Sequence, residues 1–300
     1  MSSETKIGTL NLCLGLRNKK EEVRRMIQDN NIDILCMQEI EIPKDFPIQM
    51  LTFKGYQFEN ENNNTKSRCG MYISNNVSYV RRNDLETEGI HAMIIDIKDV
   101  NKTRIINVYR SFNPQNNQTQ REHFDSLLEN LKSNANTKTI ILGDFNLDYR
   151  KRFDINYSHK NYYLALNESL QDFMQIITFP TWSRTVNNVN RESVIDHVYI
   201  QDPTSIFNLA ECTPTFGDHK LIKFSIRTGK NESKITFKRN WKNYNKEILI
   251  SELSKVDWNI INDDVQSYWN TFESQLIEIV DRLSPMCEVI NNKFKMNPPK

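Results

Sequence analysis

Short apolar runs bounded by glycine, proline or polar residues recur along the chain up to about residue 228. Runs of this length, rich in β-branched residues, predict buried strands, and longer segments with helical periodicity lie between them. The alternation predicts an α/β (α+β) fold. The predicted strands are Lys6–Leu12, Ile32–Met37, Met71–Val80, Ala92–Ile97, Arg104–Tyr109, Ile140–Leu142, Ser193–Ile200 and Leu221–Ile226.

Three helices are predicted among these strands, from capping residues followed by apolar residues at i, i+3, i+4 and i+7 spacing. The first begins at Asn18 and should bury Val23, Met26 and Ile27. The second follows a capping box at residues 119–122 and should bury Phe124, Leu127, Leu128 and Leu131. The third, Lys160–Met174, should turn Leu164, Leu170, Phe173 and Met174 inward.

The composition changes near residues 228–230, where we expect a domain boundary. The part before it, 1–228, would hold the α/β domain. In the part after it, 229–300, the pattern predicts two helices, Asn245–Ser254 and Asp263–Leu283, and the second has a continuous apolar face.

Composition and charge limit the possible functions. A hydrophobic fraction of 38% is enough for a buried core, and the formal net charge is only +1, so bulk charge does not favour nucleic acid. Any nucleic-acid binding must then come from local basic patches or from bound cations, and Arg150, Lys151 and Arg152 are the strongest candidates. The five cysteines are scattered and odd in number, which favours an intracellular protein without a disulfide framework or a zinc site. No membrane-spanning run and no secretory signal are expected.

The stretch TIILGDFNLDY, residues 139–149, combines a buried strand with polar residues at its exit. Gly143 ends the apolar run, and Asp144, Asn146 and Asp148 follow within five residues. Polar groups at the end of a buried strand are held rigidly at a surface, as catalytic groups must be. An ordinary turn uses the same residue types, so this stretch alone favours turn and site equally.

Other predicted strands also end in, or lie next to, polar residues. If these strands are neighbours, their polar residues meet at one rim, where oxygen ligands would suit Mg²⁺. A carboxylate there can activate water, and a histidine paired with a carboxylate can stabilise a charged phosphate transition state. The residues concerned are Asn11, Glu39, Tyr109, Asp144, Asn146, Asp196, Asp218 and His219.

Six short motifs in order resemble the endonuclease/exonuclease/phosphatase family: N-L at 11–12, Q-E at 38–39, V-Y at 108–109, G-D-F-N at 143–146, I-D-H at 195–197 and G-D-H at 217–219. The resemblance spans residues 7–226. It implies a four-layer sandwich of two mixed β-sheets flanked by helices, and a hydrolase that depends on Mg²⁺, with Mn²⁺ as a possible substitute.

The resemblance also implies a role for each matching residue. Asn11, Glu39 and Asp218 would bind metal. Asp144 would activate water, and Asn146 would help to hold that water or the phosphate. His219 would contact the scissile phosphate, with Asp196 orienting it. Cys13 stands where some relatives have an acidic residue. His91 and His197 match no family role, so both are expected to be histidines that are either buried with hydrogen-bond partners or exposed at the surface.

With Tyr109 at this position, the chain resembles the abasic-endonuclease branch of the family, because other branches place a histidine in this region. The branch includes the endonuclease domains of non-LTR (LINE-type) retrotransposons. Tyr109 would then bond the phosphate, although a half-buried aromatic at a strand end is the structural alternative. Arg110 and Asn113, in the loop that follows, are further candidates for DNA binding. Residues 229–300 resemble the connector toward a reverse transcriptase domain that this chain lacks.

The leading functional hypothesis is a Mg²⁺-dependent endonuclease that nicks one strand of double-stranded DNA and leaves a 3′-hydroxyl primer for retrotransposition. A nuclear location is expected, with element RNA as a partner through the downstream domain. One alternative is a host abasic-site repair endonuclease or a small-molecule phosphatase of the same fold. A non-enzymatic alternative is an inactive DNA-binding remnant of a retroelement protein.

Overall fold

The chain divides into two units, residues 1–230 and 231–300. A computed structural model describes residues 4–61, 66–87, 90–99, 101–111, 117–134, 138–212, 217–228, 235–239, 245–256 and 265–290. The helices are α1 (Lys20–Asn30), α2 (Asn117–Asn134), α3 (Lys160–Ser169), α4 (Lys246–Ser254) and α5 (Val265–Leu283). The strands are β1 (Glu4–Asn11), β2 (Ile34–Pro43), β3 (Tyr56–Asn60), β4 (Lys66–Ser74), β5 (Tyr79–Arg81), β6 (Ala92–Ile97), β7 (Arg104–Tyr109), β8 (Thr139–Asp144), β9 (Met174–Gln175), β10 (Trp182–Val186), β11 (Val189–Ser193), β12 (Asp196–Ile200), β13 (Ile206–Cys212), β14 (Leu221–Arg227), β15 (Ile235–Arg239) and β16 (Met286–Ile290).

Two six-stranded sheets form the first unit. The first sheet has the order β13-β14-β1-β2-β4-β3, and the second has the order β5-β6-β7-β8-β12-β9. Each sheet contains one parallel pair, β1 with β2 and β7 with β8, among antiparallel neighbours. Strands β10 and β11 form a separate hairpin.

Side chains that alternate along each strand face two different hydrophobic layers. In the first sheet, Ile34 lies in the core between the sheets, whereas Leu35 packs on the α1 side. In the second sheet, Leu142 lies in the shared core and Ile141 packs with residues of α2 and α3. The layers are therefore helix, sheet, sheet and helix, which confirms the expected four-layer sandwich.

A buried polar cluster joins the two sheets inside this core. The Gln38 side-chain amide donates to Asn107 Oδ1 at 2.6 Å and to Thr9 Oγ1 at 3.0 Å. The Asn107 amide donates to the carbonyls of Met37 and Gly70, at 3.0 and 3.1 Å. Hydrogen bonds of this kind fix register, since any slip would leave buried polar groups unpaired.

Strand β2 is longer than its apolar run predicts. It continues past Glu39 to Pro43, and its pairing with β4 shifts between Gln38 and Ile42. Glu39 and Glu41 both adopt left-handed backbone angles, with φ of 53° and 54°. This bulge re-aims the Glu39 side chain at the sheet edge.

Other strand predictions need correction. The predicted run Met71–Val80 is two strands, β4 and β5, which belong to different sheets. Strands β3, β9, β10, β11 and β13 were not predicted, because their sequences are mixed or mostly polar and lack a buried apolar run.

The helices of the first unit partly match expectation. Helix α1 buries Val23, Met26 and Ile27 as predicted, but it begins at Lys20 after a 3₁₀ turn and lacks a side-chain cap. The predicted residues of α2 are buried. Helix α3 ends at Ser169, before Met174. Leu170 is buried as predicted, but Leu164 and Met174 are exposed, and Tyr163 and Leu166 face the core.

The second unit contains the antiparallel pair β15 and β16 and the helices α4 and α5. Asn245 caps α4 by accepting hydrogen bonds from the backbone of Glu247 and Ile248. Arg282 of α5 forms an ion pair with Glu252 of α4. Within the described residues of the chain, no helix is long and apolar enough to cross a membrane.

Candidate active site

The predicted polar residues lie where strand ends of both sheets meet. Asn11 ends β1, and Glu39 lies in the bulge of the parallel neighbour β2. In the second sheet, Asp144 at the end of β8 lies opposite Tyr109 of β7 on one side and opposite Asp196 of β12 on the other. The strand pairing alone therefore brings three polar side chains together.

Asn11 connects the two sheets at this rim. Its Nδ2 donates to Glu39 Oε1 at 3.1 Å and to Asp144 Oδ2 at 2.8 Å, and its Oδ1 accepts from the Cys13 backbone at 2.8 Å. In this arrangement the amide nitrogen, and not the oxygen, faces the carboxylates. Asn11 thus orients the two carboxylates in this structure, and its role as a metal ligand stays a prediction.

Asp144 is buried, with 1% of its surface exposed. Its Oδ1 accepts from the Asn146 backbone at 2.8 Å, and its Oδ2 also accepts from Asn146 Nδ2 at 3.3 Å. Burial, followed by the nearby charge of Asp196, raises the pKa of Asp144 to about 7. A carboxylate with such a pKa can accept a proton near neutral pH.

His219 and Asp196 form a buried ion pair. His219 Nδ1 lies 2.9 Å from Asp196 Oδ2 and 3.1 Å from Oδ1. Burial disfavours the charged form of His219, but the charge of Asp196 and the hydrogen bond to it outweigh burial and raise the pKa to about 9. The imidazolium is therefore held in place through Nδ1, which leaves Nε2–H to donate to a substrate oxygen.

Tyr109 contacts the site through its hydroxyl group. The hydroxyl donates to Glu39 Oε1 at 3.2 Å, and the Arg68 guanidinium lies 3.5 Å from it and over the ring. Burial and then the charges of Glu39 and Asp144 raise the pKa of Tyr109, so the phenol stays protonated as a donor. Arg68 was not predicted from sequence.

Cys13 and Asp218 form a neighbouring pair. The Cys13 thiol donates to Asp218 Oδ1 at 2.8 Å. Burial, followed by that hydrogen bond, raises the pKa of Cys13 to about 12, so the thiol is protonated. For Asp218, burial alone would raise the pKa, but the hydrogen bond from Cys13 and the charge of His219 lower it.

The donor set fits a hard divalent cation. Four carboxylates, Glu39, Asp144, Asp196 and Asp218, gather around one imidazolium, so the cluster carries excess negative charge that a cation would neutralise. Ligand atoms of Asp144, Asp196 and His219 lie within 4.8 Å of one another, as do those of Cys13, Asp218 and His219.

The candidate DNA-binding residues divide into three cases. Arg110 is only 6% exposed. Its guanidinium donates to the carbonyls of Phe145 and Asn146, both at 3.2 Å. Arg110 therefore supports the loop after β8 and is not placed to contact DNA. Asn113 lies outside the described residues. Residues 150–152 form an accessible basic segment directly after the catalytic loop.

Three remaining polar residues have structural roles. His197 is fully buried, and its Nε2 lies 2.9 Å from the Leu147 carbonyl and 3.1 Å from that of Val194, so it is a satisfied histidine as expected. His91 is likewise paired, with Glu61. Asp148, for which the family pattern gave no role, is buried and accepts hydrogen bonds from the backbones of Arg150 and Val194.

Comparison with known proteins identifies the family of the chain. The sequence pattern of the Endonuclease/Exonuclease/phosphatase family matches residues 8–219, and the chain belongs to this family. No curated protein matches the chain.

Solved structures share the fold. The chain is similar to the endonuclease domain of TRAS1, a telomere-specific non-LTR retrotransposon (14% identity, 75% of this chain and 100% of that chain, TM-score 0.59). It is also similar to the AP endonuclease LMAP from Leishmania major (17%, 75% and 88%, TM-score 0.58) and to a 3′ phosphatase from Neisseria (18%, 74% and 99%, TM-score 0.51). Members of the family are metal-dependent hydrolytic nucleases and phosphatases.

Proposed function

We propose that the chain is a Mg²⁺-dependent endonuclease that nicks one strand of double-stranded DNA and leaves a 3′-hydroxyl end. The main support is the buried trio in which Asp144 faces the ion pair of Asp196 and His219. One group of this trio can accept a proton while another presents a fixed positive charge, and phosphodiester hydrolysis requires both.

The side chains divide the chemistry between them. The Asp144 carboxylate accepts the proton of the attacking water, and Asn146 and Asn11 hold that carboxylate in place. His219 donates Nε2–H to an oxygen of the scissile phosphate, where charge accumulates during attack. Tyr109 stays protonated, and its single O–H, which donates to Glu39 without substrate, would donate to the phosphate instead once Glu39 holds the metal.

Glu39 and Asp218 are the residues that would hold the metal. When bound, Mg²⁺ supplies positive charge to the phosphate and the leaving oxygen. The side-chain oxygens fit this ion, because Mg²⁺ binds through one or two carboxylates and otherwise keeps water and phosphate oxygens.

The nicking hypothesis is tested with supercoiled plasmid, with Mg²⁺ or with EDTA. The expected product is relaxed circular DNA only with Mg²⁺, and a polymerase should extend the nick without prior phosphatase treatment. Asp144→Asn and His219→Ala should lose activity by about 10²–10⁴-fold. Asp172→Asn and His123→Ala change exposed residues of the same types and serve as matched controls. Equal nicking by all five proteins would contradict the proposal.

A second candidate is an abasic-site endonuclease or a phosphatase of the same fold. Its support is the structural similarity to the AP endonuclease LMAP and to the Neisseria 3′ phosphatase. The same assay distinguishes it: a duplex with one abasic site would be cut far faster than intact DNA, or phosphate would be released without nicking. Binding without either activity would support the inactive remnant.

Retrotransposition is the biological role that we propose for the nick. Support comes from the similarity to the TRAS1 endonuclease domain, from the Tyr109 hydroxyl beside Glu39 in the candidate site, and from the second unit, which we propose connects to a polymerase domain. A nuclear location and an RNA partner follow from this role. A fluorescent fusion that stays outside the nucleus would argue against it.

A further inference from the structure

An aromatic side chain projects into solvent next to the catalytic loop. Phe153 is 82% exposed, and it follows three consecutive cations, residues 150–152. The exposed ring therefore offers an apolar face directly beside positive charge. The combination of positive charge and an open π-face is typical of surfaces that bind nucleic acid.

The ring is supported from one side only. The Arg152 guanidinium lies over the Tyr149 ring at 4.1 Å and over the Phe153 ring at 4.5 Å, and its NH1 group donates to the Tyr149 carbonyl at 3.0 Å. Tyr149 in turn packs edge-on against Tyr163 and the buried His197. Tyr149, Arg152 and Phe153, here named the stacking platform, thus form a column that rests on the core.

The platform is tied to the catalytic residues. Asp148 accepts a hydrogen bond from the Arg150 backbone at 3.2 Å and another from the Val194 backbone at 3.1 Å. The first bond holds the turn that carries the platform, and the second joins this turn to the segment immediately before Asp196. The platform therefore has a fixed position relative to Asp144 and Asp196.

We propose that the stacking platform binds one unpaired base of the nucleic-acid substrate, which stacks on the open face of Phe153. Arg152 occupies the opposite face, so the ring can accept one base but cannot be inserted between two stacked bases. Arg150 and Lys151, both exposed, supply positive charge for the adjoining phosphates. This inference deepens the proposed function and rests on it for the class of substrate.

The test compares two duplexes that differ by one bulged 2-aminopurine, with binding measured in EDTA so that the DNA stays intact. The intact chain should prefer the bulged duplex and quench its fluorescence. Because stacking on an aromatic side chain changes affinity by roughly tenfold per base, Phe153→Leu should lose about tenfold of the affinity for the bulged duplex and little for the paired one. Phe153→Trp should retain the preference.

A matched control lies in the same segment. Ile155 is 78% exposed, and Ile155→Ala removes apolar surface without removing a ring, so this variant should keep the preference. The inference is overturned if the intact chain does not distinguish the duplexes, or if Phe153→Leu distinguishes them as well as the intact chain does.

Failure of the proposed function has a separate signature. Hydrolysis of bis(p-nitrophenyl) phosphate with Mg²⁺ reports the catalytic residues without any base to stack. Phe153→Leu should hydrolyse this small diester at the rate of the intact chain. If neither protein hydrolyses it or nicks plasmid, the proposed function fails, whereas the binding preference still decides the platform.

Discussion

At the scale of single residues, the charge of Asp196 controls the state of His219. Asp196→Asn keeps the shape of the side chain but removes the charge that stabilises the imidazolium. We expect kcat to fall about 10²–10³-fold with little change in KM. Activity of the unaltered chain should decline above about pH 9, where His219 loses its proton, and the variant should show this decline at lower pH.

A pH profile of kcat on the small diester measures both effects. Asp172→Asn, on the surface, should leave the profile unchanged. A profile that keeps its alkaline limb in Asp196→Asn would show that His219 is not the group titrating there.

The buried His197 predicts a separate effect of pH on stability. Burial lowers the pKa of His197 to about 4 in the folded protein, below the ordinary 6.5. The unfolded chain therefore binds the proton more readily, so stability is complete above pH 6.5 and falls as the pH drops toward 4. The loss reaches roughly 3 kcal/mol, at 1.36 kcal/mol per pKa unit.

Urea unfolding at several pH values measures this loss. His197→Gln cannot take up a proton, so it should be less stable at pH 7 but show a shallower loss between pH 6.5 and 4. An unchanged slope would assign the acid sensitivity to other groups.

Several site residues were predictable because they interrupt a strong local pattern. Asp144, Asp196 and His219 are polar residues at the ends of apolar runs, and the structure brings them together. Arg68 carries no such signal. Its contact with Tyr109 depends on how one sheet lies over the other, which no short stretch of sequence encodes.

At the scale of elements, Gly143 lets strands β7 and β8 approach closely. Its φ is 134°, and a Cβ there would lie 2.0 Å from the Val108 carbonyl oxygen, a backbone atom that cannot move aside. Gly143→Ala should destabilise the fold by at least roughly 3 kcal/mol or prevent folding. Thermal unfolding measures this.

Gly55→Ala is the matched control for that substitution. Gly55 also has a positive φ, of 91°, but nothing lies within 4 Å of an added Cβ. Gly55→Ala should therefore lower the free energy of unfolding only by the backbone strain, about 1–3 kcal/mol. Equal losses at the two glycines would show that the close approach to Val108 does not matter.

The elements that were missed share a physical reason. Regular apolar runs identified the central strands, since burial on both faces leaves a strong pattern. The bulge in β2 has no such pattern in its sequence, because glutamate has no preference for the left-handed angles that Glu39 and Glu41 adopt. The polar hairpin of β10 and β11 is largely exposed, so it also lacks an apolar pattern that would predict its strands.

At the scale of the whole molecule, the first unit should be self-sufficient. It contains both sheets and every described residue of the candidate site. A protein of residues 1–230 should fold by itself, show its own calorimetric unfolding transition and nick plasmid within about threefold of the full chain. Calorimetry and the plasmid assay check this prediction, and loss of either property would give residues 231–300 a direct part in folding or catalysis.

The buried amide link between the sheets has a consequence for how the protein loses function. Three contacts of the site join the first sheet, or the segment leading into it, to the second: Asn11 with Asp144, Tyr109 with Glu39, and His219, just before β14, with Asp196. The site therefore lies at the boundary between the two sheets, and its geometry is kept only while the sheets keep their relative position. In rising urea, hydrolysis should fail before the strands unfold, and circular dichroism recorded beside activity would show the gap. Asn107→Ala, which removes hydrogen bonds of the buried amide link, should widen the gap between loss of activity and unfolding.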